Sequence, residues 1–325
     1  MNTQIKEILN ELKTKKLVKE KHYSSLGLSV YKYHNSVFFN NLWYKSPYLL
    51  KARGIVLDSE GNIVQHPFDK IFNFNENGAG RELKMNEKVV AVEKANGFLA
   101  CITLDPHQRD KLLVSTTGSL DSDFVGLIED LISPTLRQEM VKYLNKNNQT
   151  LMFEAIHPRD PHIIKYEEKD YGLWLIGARG KQEEDKVLSE TQLDSIAQQL
   201  NLRRPNYFIE EFSQILERIK KEQIEGYVLR SVETQEPILK LKTNYYLTTK
   251  FIGRMGKNSI NLMYKNPTLF KEKIEEEFYE LVDVLISRID KDKLLELNNE
   301  QKVEIVRDLI KELNTQRVQT TKIKP

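Results

Sequence analysis

The chain has 325 residues, of which 40% are hydrophobic and 30% charged. That length exceeds the size at which a single core usually stops growing, and the composition excludes general disorder. One large and one small domain are expected. Lys and Arg number 49 against 47 Asp and Glu, a net charge of +2, so any polyanion site has to be a local patch. The single cysteine, Cys101, excludes an internal disulfide framework and points to a reducing compartment.

Met1 to Glu20 is polar and lysine-rich, without the apolar centre of a signal peptide, and no apolar run reaches the length of a membrane span. A cytoplasmic protein with no membrane partner is expected. Ile5, Ile8, Leu9 and Leu12 fall at helical spacing and predict an opening helix. From Leu28 to Tyr33 the pattern changes to short β-branched runs between turn residues. These recur at Gly54 to Leu57, Val89 to Val92, Phe98 to Leu104 and Leu112 to Thr116. A helical stretch around Phe124 to Leu144 follows. Strand character resumes at Leu151 to Ile156, Leu173 to Ile176, Tyr227 to Leu229 and Ile238 to Leu241, with helical spacing between Ser189 and Lys221.

Beyond Gly253 the pattern is helical throughout: Phe270, Ile274, Phe278, Leu281 and Leu285 form one stripe, and Val303, Val306, Ile310 and Leu313 another. Asn298 with Gln301 three residues on predicts a capping box opening the last helix. The polar end, Gln316 to Pro325, is expected to lack fixed structure. Clustered rather than alternating strands make the fold class α+β: a mainly antiparallel-sheet domain over 1–253 and a small all-helical domain over 254–325.

The stretch Val89 to Gly97 is an apolar strand running into Glu93-Lys94-Ala95-Asn96-Gly97. Taken alone it reads as a hairpin with an Asn-Gly turn and an exposed lysine. Other residues change the reading. Glu154 sits inside the apolar run Leu151 to Ile156, where an unpaired carboxylate is costly. Glu225-Gly226 opens another strand, and Lys240 and Lys242, two apart, project from one face of a third. Each has a plain alternative, a solvated sheet face or an edge salt bridge. The set, in this order, does not.

The ordered set Lys94-Ala95-Asn96-Gly97, Glu154, Tyr171-Gly172-Leu173-Trp174, Glu225-Gly226 and Lys240-Leu241-Lys242 resembles motifs I, III, IIIa, IV and V of the covalent nucleotidyltransferases. Within that superfamily it is most similar to the phage-type RNA ligase 1 family. Ala52 to Asp58 and Lys70-Ile71-Phe72-Asn73 match two further segments, so the resemblance covers about 51–251. Two positions depart from it. Residue 96 is asparagine where most phage ligases carry aspartate, a variant that resembles fungal tRNA-splicing ligases. Thr117, in Ser115-Thr116-Thr117-Gly118-Ser119, stands where the family often has a lysine.

The resemblance implies an ATP-dependent RNA ligase acting in three steps: Lys94 attacks the α-phosphate of ATP, AMP passes to an RNA 5′-phosphate, and a 3′-hydroxyl displaces AMP. A lysine of ordinary pKa ~10.4 is almost wholly charged near pH 7, so this nucleophile needs nearby cations or burial to act. Lys240 and Lys242 are implied for that role and for neutralising the transferring phosphate. The resemblance puts Glu225 on Mg2+ or Mn2+ and Glu154 on the AMP ribose, with Arg53 and Lys70 on the β- and γ-phosphates. Glu93, Asn96, Gly97 and Trp174 belong to the nucleotide-binding set. Phe72 either stacks near the nucleotide or packs in the core. The implied partner is RNA with 5′-phosphate and 3′-hydroxyl ends, nicked tRNA among the candidates, prepared upstream by a kinase and phosphatase. A monomer is expected.

DNA ligases and capping enzymes share these motifs but usually follow motif V with an oligonucleotide-binding barrel, whereas about seventy residues of helical pattern follow here. A different class, a non-catalytic RNA-binding protein on a ligase scaffold, would be marked by loss of Lys94 or the motif V lysines, and all are present.

Overall fold

The computed structural model describes residues 2–322. Its strands are β1 (Val18–Tyr23), β2 (Leu28–Tyr33), β3 (Arg53–Asp58), β4 (Ile63–Gln65), β5 (Lys88–Glu93), β6 (Phe98–Leu104), β7 (Leu112–Ser115), β8 (Gln149–Ile156), β9 (Gly172–Gly180), β10 (Tyr207–Glu211), β11 (Gly226–Ser231) and β12 (Pro237–Lys242). They form three four-stranded sheets ordered β1-β2-β3-β4, β7-β6-β8-β9 and β10-β5-β11-β12. Pairing is antiparallel along the first two sheets and through β5-β11-β12.

Two compact units result. The first comprises Met1–Ile71, Ala95–Tyr207 and Glu233–Glu236, and the second Phe72–Lys94, Phe208–Val232 and Pro237–Pro325. The first contains the sheets β1 to β4 and β6 to β9. In the latter, Ile102, Leu151, Phe153 and Leu175 pack against Leu144 of the helix Pro134–Asn147 and Leu193 and Ile196 of the helix Glu190–Leu200. The opposite face, Cys101 and Met152, is covered by Phe68 and Val187. Both faces of β8 are thus dry, and Leu151, Met152 and Phe153 are apolar in succession rather than alternating with polar residues. Each fully buried side chain of this kind, such as Phe153, contributes about 1.5–3 kcal/mol.

The opening helix, Asn2–Thr14, buries Ile5, Leu9 and Leu12 at the predicted spacing. The expected helix over Phe124 to Leu144 is two, Asp123–Asp130 and Pro134–Asn147, because Pro134 cannot continue a helix and opens the second one instead, behind a Ser133 cap. Between Ser189 and Lys221 the helical spacing is interrupted by β10. Ser189 and Gln192 make a capping box at the first of its helices.

In the second unit the apolar face of its sheet, Val89, Ala91, Leu229, Leu239 and Leu241, packs on Phe212, Ile215 and Leu216 of the helix Phe212–Arg218. Helices Asn244–Ile252, Lys257–Lys265, Pro267–Lys271, Tyr279–Arg288, Lys291–Glu296 and Asn299–Lys322 complete it. Residue 253, the expected domain boundary, falls within this unit. The stripe Phe270 to Leu285 is divided between two helices and a short turn, Glu276–Phe278. Asn298 and Gln301 bond reciprocally, backbone N–H to side-chain oxygen, at 3.0 and 2.9 Å. The last helix runs through Lys322, so Gln316–Lys322, expected without structure, is helical. Residues 323–325 lie outside the described residues.

Candidate active site

In the second unit β5 pairs with β11, Glu93 lying opposite Tyr227. The chain then leaves the sheet, and β6 belongs to another one. The Asn-Gly pair therefore closes no hairpin, and the plain reading of this stretch is excluded. The Lys94 backbone N–H donates to Gly226 O at 2.9 Å. Gly226 has φ +147, and a Cβ there would stand 2.1 Å from Leu241 O, so only glycine fits between β11 and β12 at this point.

The adjoining carboxylate, Glu225, is 3% exposed and takes two ammonium groups on one oxygen: Lys94 Nζ at 3.2 Å and Lys242 Nζ at 3.4 Å. Lys242 also meets Glu277 at 2.9 Å, and Glu277 meets Lys250 at 3.3 Å. Burial alone would raise the Glu277 carboxyl, but Lys242 and Lys250 draw it down to about 2. Burial would lower Lys242, and Glu277 and Glu225 raise it well above the lysine range. Alternation along β12 leaves Lys240 and Lys242 half-buried on the face opposite buried Leu239 and Leu241. Lys240 holds its backbone between Phe72 O, 2.8 Å, and Phe74 N, 2.9 Å, which ties the Phe72 segment to motif V.

Glu277, Lys250 and Tyr246, whose ring lies 4.8 Å from Lys242 Nζ, were not legible as site neighbours, since each reads as part of an amphipathic helix. A cavity of about 520 Å³ in this unit is lined by Lys242 and Glu277 together with Phe74, Leu216 and Leu241. Of the expected site residues, Lys242 is the one that lines it.

The first unit holds a second group. Gly97 N–H donates to Glu154 Oε1 at 3.0 Å, Glu154 being buried. In register Glu154 stands between Leu99 of β6 and Trp174 of β9. Asn96 is buried; its side-chain oxygen accepts from Ile164 N–H at 3.0 Å, and its own N–H donates to the Tyr166 hydroxyl at 2.7 Å. The acceptor oxygen that asparagine shares with aspartate is thus in use as a loop anchor. The Tyr166 ring lies 6.2 Å from that of Trp174, whose Nε1–H donates to Asp170 O at 3.0 Å. Tyr166 was missed because it lies in the irregular run between β8 and β9.

Arg53 opens β3, opposite Lys32 of β2. Gly54, at φ +98, would carry a Cβ 2.8 Å from Thr117 Cα, so β3 and the Thr117 turn touch backbone to backbone. Lys70 is 9% exposed, its ammonium 5.1 Å from the Phe38 ring and 5.6 Å from that of Trp43, a cation–π setting. As a metal donor Glu225 is a hard oxygen ligand of the right type for Mg2+ or Mn2+. Among the described residues no group of three or more His, Cys, Asp or Glu could hold a metal. An ion at Glu225 would therefore take most of its ligands from phosphate and water, an arrangement normal for Mg2+.

Sheets of this order, carrying these residues at these strand ends, define the nucleotidyltransferase fold. A family model described as RNA ligase matches residues 51–282, and the chain belongs to that phage-type RNA ligase family. RNA ligase 1 of Bacteriophage TS2126 is 27% identical over 149 residues, 42% of this chain and 36% of that protein; the match spans about a third of the relative's length. Among solved structures, an archaeal ATP-dependent RNA ligase superposes with a TM-score of 0.60 at 13% identity, over 98% of this chain and 80% of its own. A putative ATP-dependent DNA ligase from Aquifex aeolicus superposes with a TM-score of 0.59 at 17% identity, over 94% and 78%. At such identities these two are likenesses of fold. Among the described residues no helix is long and apolar enough to cross a membrane.

Proposed function

We propose that the chain is an ATP-dependent RNA ligase joining 5′-phosphate and 3′-hydroxyl ends through a lysyl-AMP intermediate on Lys94. What carries the reading is the buried Glu225 carboxylate holding the half-buried Lys94 and Lys242, with contacts of 3.2 and 3.4 Å, in a member of the RNA ligase family. In the first step Lys94 Nζ, having given up a proton, bonds to the α-phosphorus of ATP as the bond to the bridging oxygen breaks and pyrophosphate leaves. The AMP then moves to the RNA 5′-phosphate oxygen, freeing Lys94. A 3′-hydroxyl finally attacks that phosphate, loses its proton and expels AMP.

Lys240 and Lys242 offset the negative charge that builds on the α-phosphate. Glu154 holds the AMP ribose, Gly97 keeps Glu154 in place, and Asn96 and Trp174 shape the nucleotide wall with Glu93 and Phe72 as further lining. Arg53 and Lys70 hold the β- and γ-phosphates. Mg2+ or Mn2+, when bound at Glu225 and the phosphates, supplies charge neutralisation. We assign adenylyl transfer to 1–253 and RNA selection to the helices of 254–325, with nicked tRNA as a substrate, a kinase and phosphatase acting upstream, and a monomer working in the cytoplasm. The test is Lys94→Ala. It should fail to join a 5′-monophosphate RNA with ATP yet still seal a pre-adenylated RNA, which bypasses the first step. Joining of the monophosphate RNA by this variant would remove Lys94 from its role.

A further inference from the structure

One end of the first unit's β1 to β4 sheet carries three cations in a row across its strands. Lys19 of β1 stands opposite Lys32 of β2, and Lys32 stands opposite Arg53 of β3. Tyr31 beside Lys32 is fully buried, so Lys32 faces outward, as does Lys19. Like charges directly opposite on a sheet repel. None of the three forms an ion pair with a carboxylate among the described residues, although carboxylates are as common in this chain as cations. Partial burial and the charges of Arg53 and Lys19 push Lys32 below the usual lysine range. Such a row lowers the stability of the fold and gains only when an anion binds it.

The row ends at the turn after β7. A Cβ on Gly118 would lie 3.7 Å from Lys32 Cδ and 4.0 Å from its Nζ, so the Lys32 side chain lies over Gly118, next to Thr117, whose backbone touches Gly54. A lysine is absent from position 117, and a lysine from the neighbouring strand reaches the same turn. We propose that Lys32 supplies the phosphate-binding cation that position 117 lacks, so that Lys32 joins Arg53 and Lys70 in holding the β- and γ-phosphates of ATP. The inference rests on the ligase reading above. A phosphate of the RNA has the same chemistry, and the two sources separate by reaction step, because only the first step contains the β- and γ-phosphates.

The experiment compares wild type, Lys32→Ala and Lys32→Ala/Thr117→Lys for enzyme-AMP formation at subsaturating ATP and for sealing of a pre-adenylated RNA, with thermal unfolding of each. Loss of one charged phosphate contact lowers the first rate by roughly 10–100-fold. In Lys32→Ala that loss should exceed any loss in sealing at least tenfold, with no fall in melting temperature, since a repulsion is relieved. Thr117→Lys should restore most of the first rate. Equal losses in both steps, a loss confined to sealing, an unchanged first rate, or a loss that Thr117→Lys leaves unrepaired would each overturn the assignment. A wild type that forms no enzyme-AMP would remove the ligase reading and this inference with it.

Discussion

Replacing Gly97 by alanine tests how the turn after Lys94 is held. The new Cβ would stand 2.2 Å from Ala155 O and 3.3 Å from Glu154 Cγ, about 1 Å inside normal contact with the backbone of β8. A buried central strand yields at a cost of about 1–3 kcal/mol. The same displacement pulls Glu154 Oε1 from the Gly97 N–H that it now meets at 3.0 Å, a hydrogen bond to a charged group worth about 1.5–3 kcal/mol. Together the change should cost about 2.5–6 kcal/mol and lower the melting temperature by at least ~5 °C. Thermal unfolding followed by circular dichroism reads this directly. Gly126, exposed within the helix Asp123–Asp130 and with nothing within 4 Å of an added Cβ, is the control. Its alanine variant should gain about 0.5–1 kcal/mol. A Gly97→Ala protein melting within ~1 °C of the parent would refute the packing argument, because the contact could then be relieved without moving β8.

Acid should weaken the first unit through His66, which is 1% exposed. Burial, and then the charge of Arg179, hold its imidazole down to about 3 from an ordinary value of 6.5. Between those values the unfolded chain binds a proton that the folded chain refuses, so stability is fully present above about pH 6.5 and falls on acidification by about 1.4 kcal/mol per pH unit. His66→Phe should flatten the dependence of unfolding free energy on pH between 7 and 5; identical slopes would contradict it. In the second unit Glu277→Gln leaves the half-buried Lys242 and Lys250 beside one carboxylate fewer. Because Glu225 and Glu275 remain in contact with them, the loss in urea unfolding should be about 1–3 kcal/mol, below the range for a pair left with no partner. No loss would mean that the network is already screened by water.

Most of the elements that build the site were legible because apolar periodicity reports burial. β2 and β6 coincide with the predicted runs, and Lys240 and Lys242 share the face that alternation assigns them. Three strands were not. β1, Val-Lys-Glu-Lys-His-Tyr, is a charged edge strand that buries only Val18, β4 is three residues long, and β10 lies inside a stretch of helical spacing. The Asn-Gly pair misled locally because its turn preference is the same whether the chain closes a hairpin or crosses from one sheet to another. That Glu225 meets Lys94 and Lys242 depends on β5, β11 and β12 lying side by side, which order along the chain does not dictate. The Glu277 contact depends on helical packing, where a carboxylate has no sequence signature that separates a buried partner from a solvated one. The exchange between Thr117 and Lys32 becomes visible only when β2 is seen beside the turn after β7.

The measurement that tests the central claim is incubation of purified wild type and Lys94→Ala, freed of pre-bound AMP, with ATP labelled on the α-phosphate and Mg2+, followed by denaturing electrophoresis. A labelled protein band in the wild type and none in the variant is the predicted result. Label of equal strength in both would place the AMP on another residue, and a folded wild type that takes up no label would contradict covalent adenylyl transfer by this chain.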